Sequence, residues 1–440
     1  MREIESCGAA MFERLFALKA QGASVWREVV AGATTFLTLA YIMFVNPKIL
    51  ASTGMSESAV FTATCLASAL TTAMMGLYAK LPVALAPGMG LNAYFAFTVV
   101  PALAGDWRLA LGCVFLSGIL FVALSLTPAR EWLINAIPKS LKLAIAAGIG
   151  FFLALIGFAN AGLVVASPAT LIQEGALTEP KVLIAAGAFV LMFALAARGV
   201  IGAVLIGIVA ATAAGMAVGL QPLPAAIISP PPSLTPTFLQ FHFTGAAAGL
   251  IATSVFVFLL VDMLDTSGTL TAVAQQGKML DPDGHLPQAR RALATDALGT
   301  MIGAALGTSP VTAYIESATG IQAGGRTGLT ALVVAALFLL SLFFAPLASA
   351  VPAYATAPAL IFVAALMAKG LKDIDWDDLT EAAPALLTAL AIPFTYSIAA
   401  GMGIGFMAYA AIKIVSGRWR DMNAAVAIIA LAFVIKIAVS

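Results

Sequence analysis

The chain has 440 residues, of which 61% are hydrophobic and only 10% charged. That composition excludes a soluble globular domain. The 22 Lys and Arg nearly cancel the 21 Asp and Glu, for a net charge of +1, and no basic patch is interleaved with aromatics as nucleic-acid binding would need. Many runs reach the roughly 18 to 20 apolar residues that cross a bilayer. Cys7, Cys65 and Cys113 lie far apart and read as small packing residues, not as a disulfide framework or a metal site.

Residues 1–28 carry charges of both signs and no apolar core, so they read as a cytoplasmic amphipathic lead-in and not a cleaved leader. The first span is expected from Val29 to Val45, stopping at Asn46-Pro47, and the second from Ala59 to Tyr78. The next apolar segment, Leu81–Phe97, is interrupted by Pro82, Pro87, Gly88 and Gly90, and carries Asn92. A span from Arg108 to Leu126 is followed by an amphipathic linker with Arg130, Trp132, Lys139 and Lys142. Span five runs from Leu143 to about Val165. Spans six (Val182–Ala197) and seven (Ile201–Leu220) are separated only by Arg198-Gly199-Val200. A loop with Pro230, Pro231 and Pro232 reads as extended.

Span eight, Ala247–Leu264, is expected to end in Asp262-Met-Leu-Asp265-Thr-Ser-Gly-Thr269. A hydrophilic loop with Lys278, Asp281, Asp283, His285, Arg290 and Arg291 follows, then span nine, Leu293–Leu306. Next comes a second interrupted stretch, from Leu306 to Gly320. Pro310 breaks the helix, Gly307 and Gly320 loosen the backbone, and Val311, Thr312, Tyr314 and Ile315 favour an extended strand. Span eleven is Leu329–Leu347 and span twelve about Thr356–Met367; the acidic Asp373–Asp378 patch then leads into Ala382–Tyr396. The turn Ser397–Gly401 opens span fourteen, which ends near Ile414. Residues 424–438 are one more apolar stretch, which either crosses again or packs at the interface.

The halves match in layout. Each has two spans, a Pro/Gly-broken segment, a full span, a long span and two closely joined spans. Seven units occur twice, and an odd number inverts the second set. Inverted repeats with a broken helix at the same place in each half point to a midplane binding site. Basic residues concentrate in the loops placed inside when the N-terminus is inside: Lys80, Arg130, Lys139, Lys142, Arg198, Lys278, Arg290, Arg291, Arg326, Lys369, Lys372, Arg418 and Arg420. The expectation is an all-α membrane protein with short strands at the midplane, spanning the plasma membrane many times.

Three carboxylates are read as lying within spans: Asp262, Asp265 and Glu316. A carboxylate at bilayer depth costs about 2.5–3.5 kcal/mol on insertion scales, so its retention points to function. Asp262 and Asp265 are three apart and share a helical face. With no Lys or Arg in those spans, protonation is favoured over ion pairing; the bland reading of Asp265 is a turn cap with Thr266 and Ser267. Asn92 offers a donor and an acceptor, either to a ligand or to the broken backbone. Tyr314 and Phe95 flank the breaks and either stack on a planar ligand or pack in the core. Thr35, Thr38 and Tyr41 form a polar face on span one. His242 and His285 read as solvated. No metal-ligand spacing and no Walker motif is visible, so no cofactor is expected. Without a nucleophile–base pair the chain does not read as an enzyme.

Four motifs in order, Thr35–Pro47, Ala86–Phe97, Phe258–Thr269 and Gly307–Gly320, resemble the azaguanine-resistance-type purine permeases, relatives of the uracil and xanthine permeases among the nucleobase–cation symporters. The resemblance covers almost the whole chain. It implies fourteen spans in two inverted repeats. A core is implied over 29–127 and 246–347 (spans one to four and eight to eleven) and a gate over 128–220 and 348–416. An extracellular loop (221–245) and a basic C-terminal piece (417–440) complete the chain. The implied activity is proton-coupled import of adenine, guanine or hypoxanthine, with Asn92, Asp262, Asp265 and Glu316 as the essential polar residues and a homodimer as the implied assembly. The purine is expected to lie flat between the broken segments, with Glu316 and Asp262 accepting from its ring N–H and exocyclic amine or donating when protonated, Asn92, Asp265, Tyr314 and Phe95 completing the substrate site, backbone N–H groups at the breaks meeting its ring acceptors, and proton coupling on Asp262, Asp265 or Glu316. The alternative is a transporter of the same architecture for a pyrimidine, xanthine or an organic anion; an anion site would want basic groups near the breaks, where none is visible.

Overall fold

The computed structural model describes residues 13, 15–125, 127, 137–168, 170–224, 226–281 and 286–439. Cys7, Arg130, Trp132, Asp283 and His285 lie outside them, as do most of the lead-in and of the linker after span four. Among the described residues, nine helices are long and apolar enough to cross a membrane, and shorter apolar helices accompany them.

In chain order the first half holds α1 (Val25–Leu39), α2 (Ile42–Ala51), α3 (Glu57–Met74), β1 (Leu85–Pro87), α4 (Met89–Tyr94), α5 (Val100–Ala102), α6 (Trp107–Ser125), α7 (Lys139–Ala161), β2 (Val164–Ser167), β3 (Leu171–Glu174), α8 (Pro180–Ala197) and α9 (Ala203–Ala217). The second half holds α10 (Ala248–Gln276), α11 (Ala289–Leu306), β4 (Val311–Ala313), α12 (Ser317–Gln322), α13 (Gly328–Ser341), α14 (Ala345–Ser349), α15 (Ala353–Met367), α16 (Leu379–Phe394), α17 (Ile398–Val415) and α18 (Ala424–Val439). Hydroxyl and carboxylate caps start many of these helices, Ser24 on α1, Ser56 on α3, Asp378 on α16 and Ser397 on α17, each accepting from a first-turn amide. Gly307, with φ +95°, ends α11 in the left-handed conformation that a side chain rarely adopts.

The helix ends differ from the sequence expectation at three places. Pro47 does not end span one; it sits inside α2, which runs on to Ala51. Its missing amide is tolerated within a buried helix. Span five stops at Ala161, and its expected tail forms one arm of an exposed β2–β3 hairpin. Span eight does not end at Asp262–Thr269. The helix continues unbroken to Gln276, which rules out the turn-cap reading of Asp265. Residues 424–439 form a helix that runs back along α17, with the Phe433 ring against Gly403.

Two packing groups organise the helices. In the first, α13 packs on α1 and α3, α11 on α6 and α3, α10 on α6, and α12 on α1. In the second, α7 packs on α15 and α16, α16 on α17, and α8 and α9 on one another and on α15. Each group mixes elements of both halves of the chain. The proline-rich loop is laid over helix ends: Ser229 N–H donates to the Phe343 carbonyl (3.0 Å), Thr62 Oγ1 to the Pro232 carbonyl (3.1 Å) and Leu239 N–H to the Ala305 carbonyl (2.7 Å).

Candidate functional site

The two interrupted segments meet. β1 and β4 pair antiparallel, with Leu85 opposite Ala313, Ala86 opposite Thr312 and Pro87 opposite Val311. Prolines on either side of the strands stop them from continuing as helix. Bare backbone at membrane depth must find partners within the protein, and here it does. Gly88 N–H donates to the Pro310 carbonyl (2.9 Å) and Tyr314 N–H to the Ala84 carbonyl (3.0 Å). On the outer edge, Thr72 Oγ1 donates to the Leu85 carbonyl and accepts from its N–H (2.9 Å each), and Ala84 N–H donates to Ser317 Oγ (3.0 Å). The Tyr314 hydroxyl donates to the Pro87 carbonyl (2.5 Å), so this aromatic stitches the two breaks together. Phe95 is fully buried in the apolar core.

Asn92 lies on α4 immediately after β1 and is completely buried. Its Nδ2 donates to Asn46 Oδ1 (3.2 Å), and its Oδ1 has no hydrogen-bond partner. Asn46 explains this orientation. Its own Nδ2 donates to Thr64 Oγ1 and Thr308 Oγ1 (2.8 Å each), which leaves Oδ1 to accept from Asn92 and from Ser309 Oγ (3.4 Å). One amide on α2 thus ties α3 to both broken segments and sets which face of Asn92 is left over. Sequence reasoning treated Asn46 only as a helix terminator.

Glu316 precedes α12 and is half-buried; the Tyr41 hydroxyl donates to its Oε1 (2.8 Å). The polar face of span one is therefore in use: Tyr41 holds Glu316, and Thr38 Oγ1 lies 3.1 Å from Thr319 Oγ1. The close approach of α12 to α1 needs Gly320, because a Cβ there would meet Thr35 Oγ1 and the Ala31 carbonyl. Asp265 is exposed on α10, near enough to Glu316 for their charges to repel. Asp262, one turn earlier, is 1% exposed and accepts from Thr300 Oγ1 (2.7 Å). Asp265 and Glu316 thus keep some exposure, while Asp262 is closed off.

Two further carboxylates, which do not stand out in the sequence, are buried. Asp296 lies in the early part of span nine, close to its expected start; it is fully buried and accepts from Thr266 Oγ1 (2.8 Å). Glu28, placed one residue before span one, is fully buried in the first turn of α1. It accepts from the amides of Arg326 (2.9 Å), Thr327 (3.2 Å) and Thr330 (3.1 Å) and from the hydroxyls of Thr327 (2.9 Å) and Thr330 (2.6 Å). A carboxylate at the start of α13 satisfies free amides and the positive helix end; its role is to fasten α1 to α13. His242 is not simply solvated: its Nε2 lies 3.0 Å from Asp106 Oδ2. Among the described residues, no group of three His, Cys, Asp or Glu is placed to hold a metal.

Comparison with known proteins identifies the family. A family model described as "Permease family" matches residues 27–404. The chain is 45% identical to the adenine permease AdeP of Escherichia coli, over 98% of this chain and 97% of that protein. It is 43% identical to the guanine/hypoxanthine permease PbuO of Bacillus subtilis, over 96% of this chain and 99% of that one. Among solved structures, the transmembrane domain of a cyanobacterium bicarbonate transporter, BicA, superposes with a TM-score of 0.64 at 16% identity, covering 85% of this chain and 97% of the other. That likeness concerns the fold alone, two inverted seven-segment repeats. The chain is a multi-pass membrane protein, and it belongs to this permease family.

Proposed function

We propose that the chain imports purine nucleobases together with protons, by alternating access. One observation carries the reading. Glu316, just after β4, and Asp265, on α10, are acceptors that keep some exposure, Asn92 Oδ1 is a buried acceptor left without a partner just after β1, and among the described residues no Lys, Arg or His bonds to any of them. Such a set suits a planar base with ring N–H and exocyclic amine donors, and it disfavours an anion. The relatives named for adenine and for guanine and hypoxanthine support the same class of substrate.

In this reading the base lies flat against the β1–β4 ribbon. Glu316, held by Tyr41, accepts from one edge of the base and Asn92 Oδ1 from another. The first-turn amides of α4, which have no acceptor within the helix, face the ring nitrogens. Residues 29–127 and 246–347 act as the core and 128–220 with 348–416 as the gate; the two packing groups support that division. Proton uptake by a buried carboxylate at α10 neutralises a charge that is costly at bilayer depth, and the core then shifts against the gate.

The test is uptake of labelled adenine, guanine and hypoxanthine into proteoliposomes with and without an inward proton gradient. The gradient should drive accumulation beyond equilibration, unlabelled purines should compete, and organic anions should not. Uptake indifferent to the gradient would overturn the coupling, and competition by anions alone would overturn the substrate.

A further inference from the structure

We propose that Asp262 and Asp296 hold one proton between them, and that this sealed pair is the coupling site, separate from the substrate-facing Asp265 and Glu316. The inference deepens the proton-coupled reading above and rests on it.

The pair is built symmetrically. Asp262 and Thr266 are one turn apart on α10, and Asp296 and Thr300 one turn apart on α11. The hydroxyls cross over: Thr300 Oγ1 donates to Asp262 Oδ2 (2.7 Å) and Thr266 Oγ1 to Asp296 Oδ2 (2.8 Å). Both carboxyls are at least 99% buried, and the Oδ1 of each has no hydrogen-bond partner. The crossed hydroxyl bonds place the two carboxyls on the facing sides of α10 and α11. A buried oxygen left bare is costly when the group is ionised, and two neighbouring bare carboxylates are costlier still. One proton shared across the pair relieves both.

Among the described residues, no Lys, Arg or His pairs with either carboxyl. On α11, Arg290 and Arg291 are exposed at the first turn, and the Arg291 guanidinium lies over the Tyr78 ring (5.8 Å). From α10 the other charged group is Asp265. From α3, which packs on α11, the charged side chain is Glu57, in the first turn and paired with Lys48; from β4 the Thr312 hydroxyl lies 2.6 Å from Thr266 Oγ1. The segment after β4 adds Glu316. From α6 the charged side chain is Arg108, exposed at the far end of that helix.

The same hydroxyls reach the strand. Thr300 Oγ1 sits 3.2 Å from the Val311 carbonyl, and Thr266 Oγ1 2.6 Å from Thr312 Oγ1. When the pair is ionised, both hydroxyls donate to carboxylate oxygens. When a proton binds, a carboxyl oxygen becomes a donor, and a threonine hydroxyl is released to donate to β4. Protonation is thereby transmitted to the strand that leads directly into Tyr314 and Glu316. No covalent bond changes beyond the O–H that forms on uptake and breaks on release.

The test compares wild type, Asp296→Asn and Thr266→Val in proteoliposomes, reading adenine binding, exchange counterflow without a gradient, and accumulation under a proton gradient. Asparagine mimics the protonated pair. Asp296→Asn should still bind adenine and carry out counterflow, while gradient-driven accumulation falls at least tenfold and the pH dependence of binding flattens. Accumulation at the wild-type level in Asp296→Asn would overturn the proposal. If that variant does not fold, Thr266→Val decides: its pH midpoint for binding should move by about half a unit or more, and an unmoved midpoint would overturn the proposal. Wild type that ignores the gradient would instead refute the coupled reading on which the proposal rests.

Discussion

Asn46 shows how much of the site depends on single amides. It spends both Nδ2 protons on threonines and its Oδ1 on Asn92 and Ser309. A satisfied buried network of this kind fixes orientation, and a broken one leaves several polar groups bare. Asn46→Leu should therefore lower stability by about 2 kcal/mol and weaken purine binding, because the Asn92 amide is freed to rotate. Thermal unfolding in detergent and a binding isotherm check the two effects; unchanged binding would show that the Asn92 orientation does not matter. At this scale the sequence was only partly legible. Asp262, Asp265 and Glu316 stand out because they interrupt apolar runs. Asp296 and Glu28 do not, because each lies near a predicted span end, where charges are ordinary. Their depth comes from packing between distant segments, against Thr266 for one and the start of α13 for the other. The exposure of Asp265 and the sealing of Asp262 likewise follow from α10 running on as helix to Gln276, which Gly268 and the local hydroxyls disguised.

Among the elements, the broken segments were the most readable. Proline beside glycine in an apolar run dictates a break, and β-branched Val311 and Thr312 dictate extension. Their pairing could not be read from either segment alone, since the register joins residues more than two hundred positions apart. The clamp of α1 on α13 is a second long-range join. Glu28 receives three amides and two hydroxyls there, all far from it in sequence. Glu28→Ala would strip these donors of their acceptor and should cost about 3 kcal/mol. The measurable result is a melting temperature lowered by several degrees with purine affinity retained by the folded fraction. An unchanged melting temperature would mean that water replaces the carboxylate without cost.

For the whole molecule, the inverted layout was visible as two hydropathy patterns in the same order, because span count and broken-segment position survive in composition. The contacts across the two packing groups were not visible. Phe97, which follows α4, meets Phe152 of α7 (6.4 Å between ring centroids) and Tyr396 after α16 (6.4 Å), and Phe152 meets Tyr396 (5.0 Å). Thr98 Oγ1 also donates to the Tyr396 carbonyl (3.1 Å). If core and gate slide past each other, this seam must part. Cysteines replacing Thr98 and Tyr396, in a background without Cys7, Cys65 and Cys113, should cross-link on oxidation. Cross-linking should abolish uptake reversibly while leaving purine binding; uptake that continues in the cross-linked protein would exclude a sliding seam here.

Equilibrium binding of labelled adenine to purified wild type and Glu316→Gln decides whether this carboxylate holds the base. The substitution keeps shape and removes the charge-assisted acceptor that Tyr41 positions. Glu316→Gln should lose at least tenfold in affinity, about 1.4 kcal/mol or more, while still folding. Wild-type affinity in Glu316→Gln would place the purine elsewhere and contradict the proposed site.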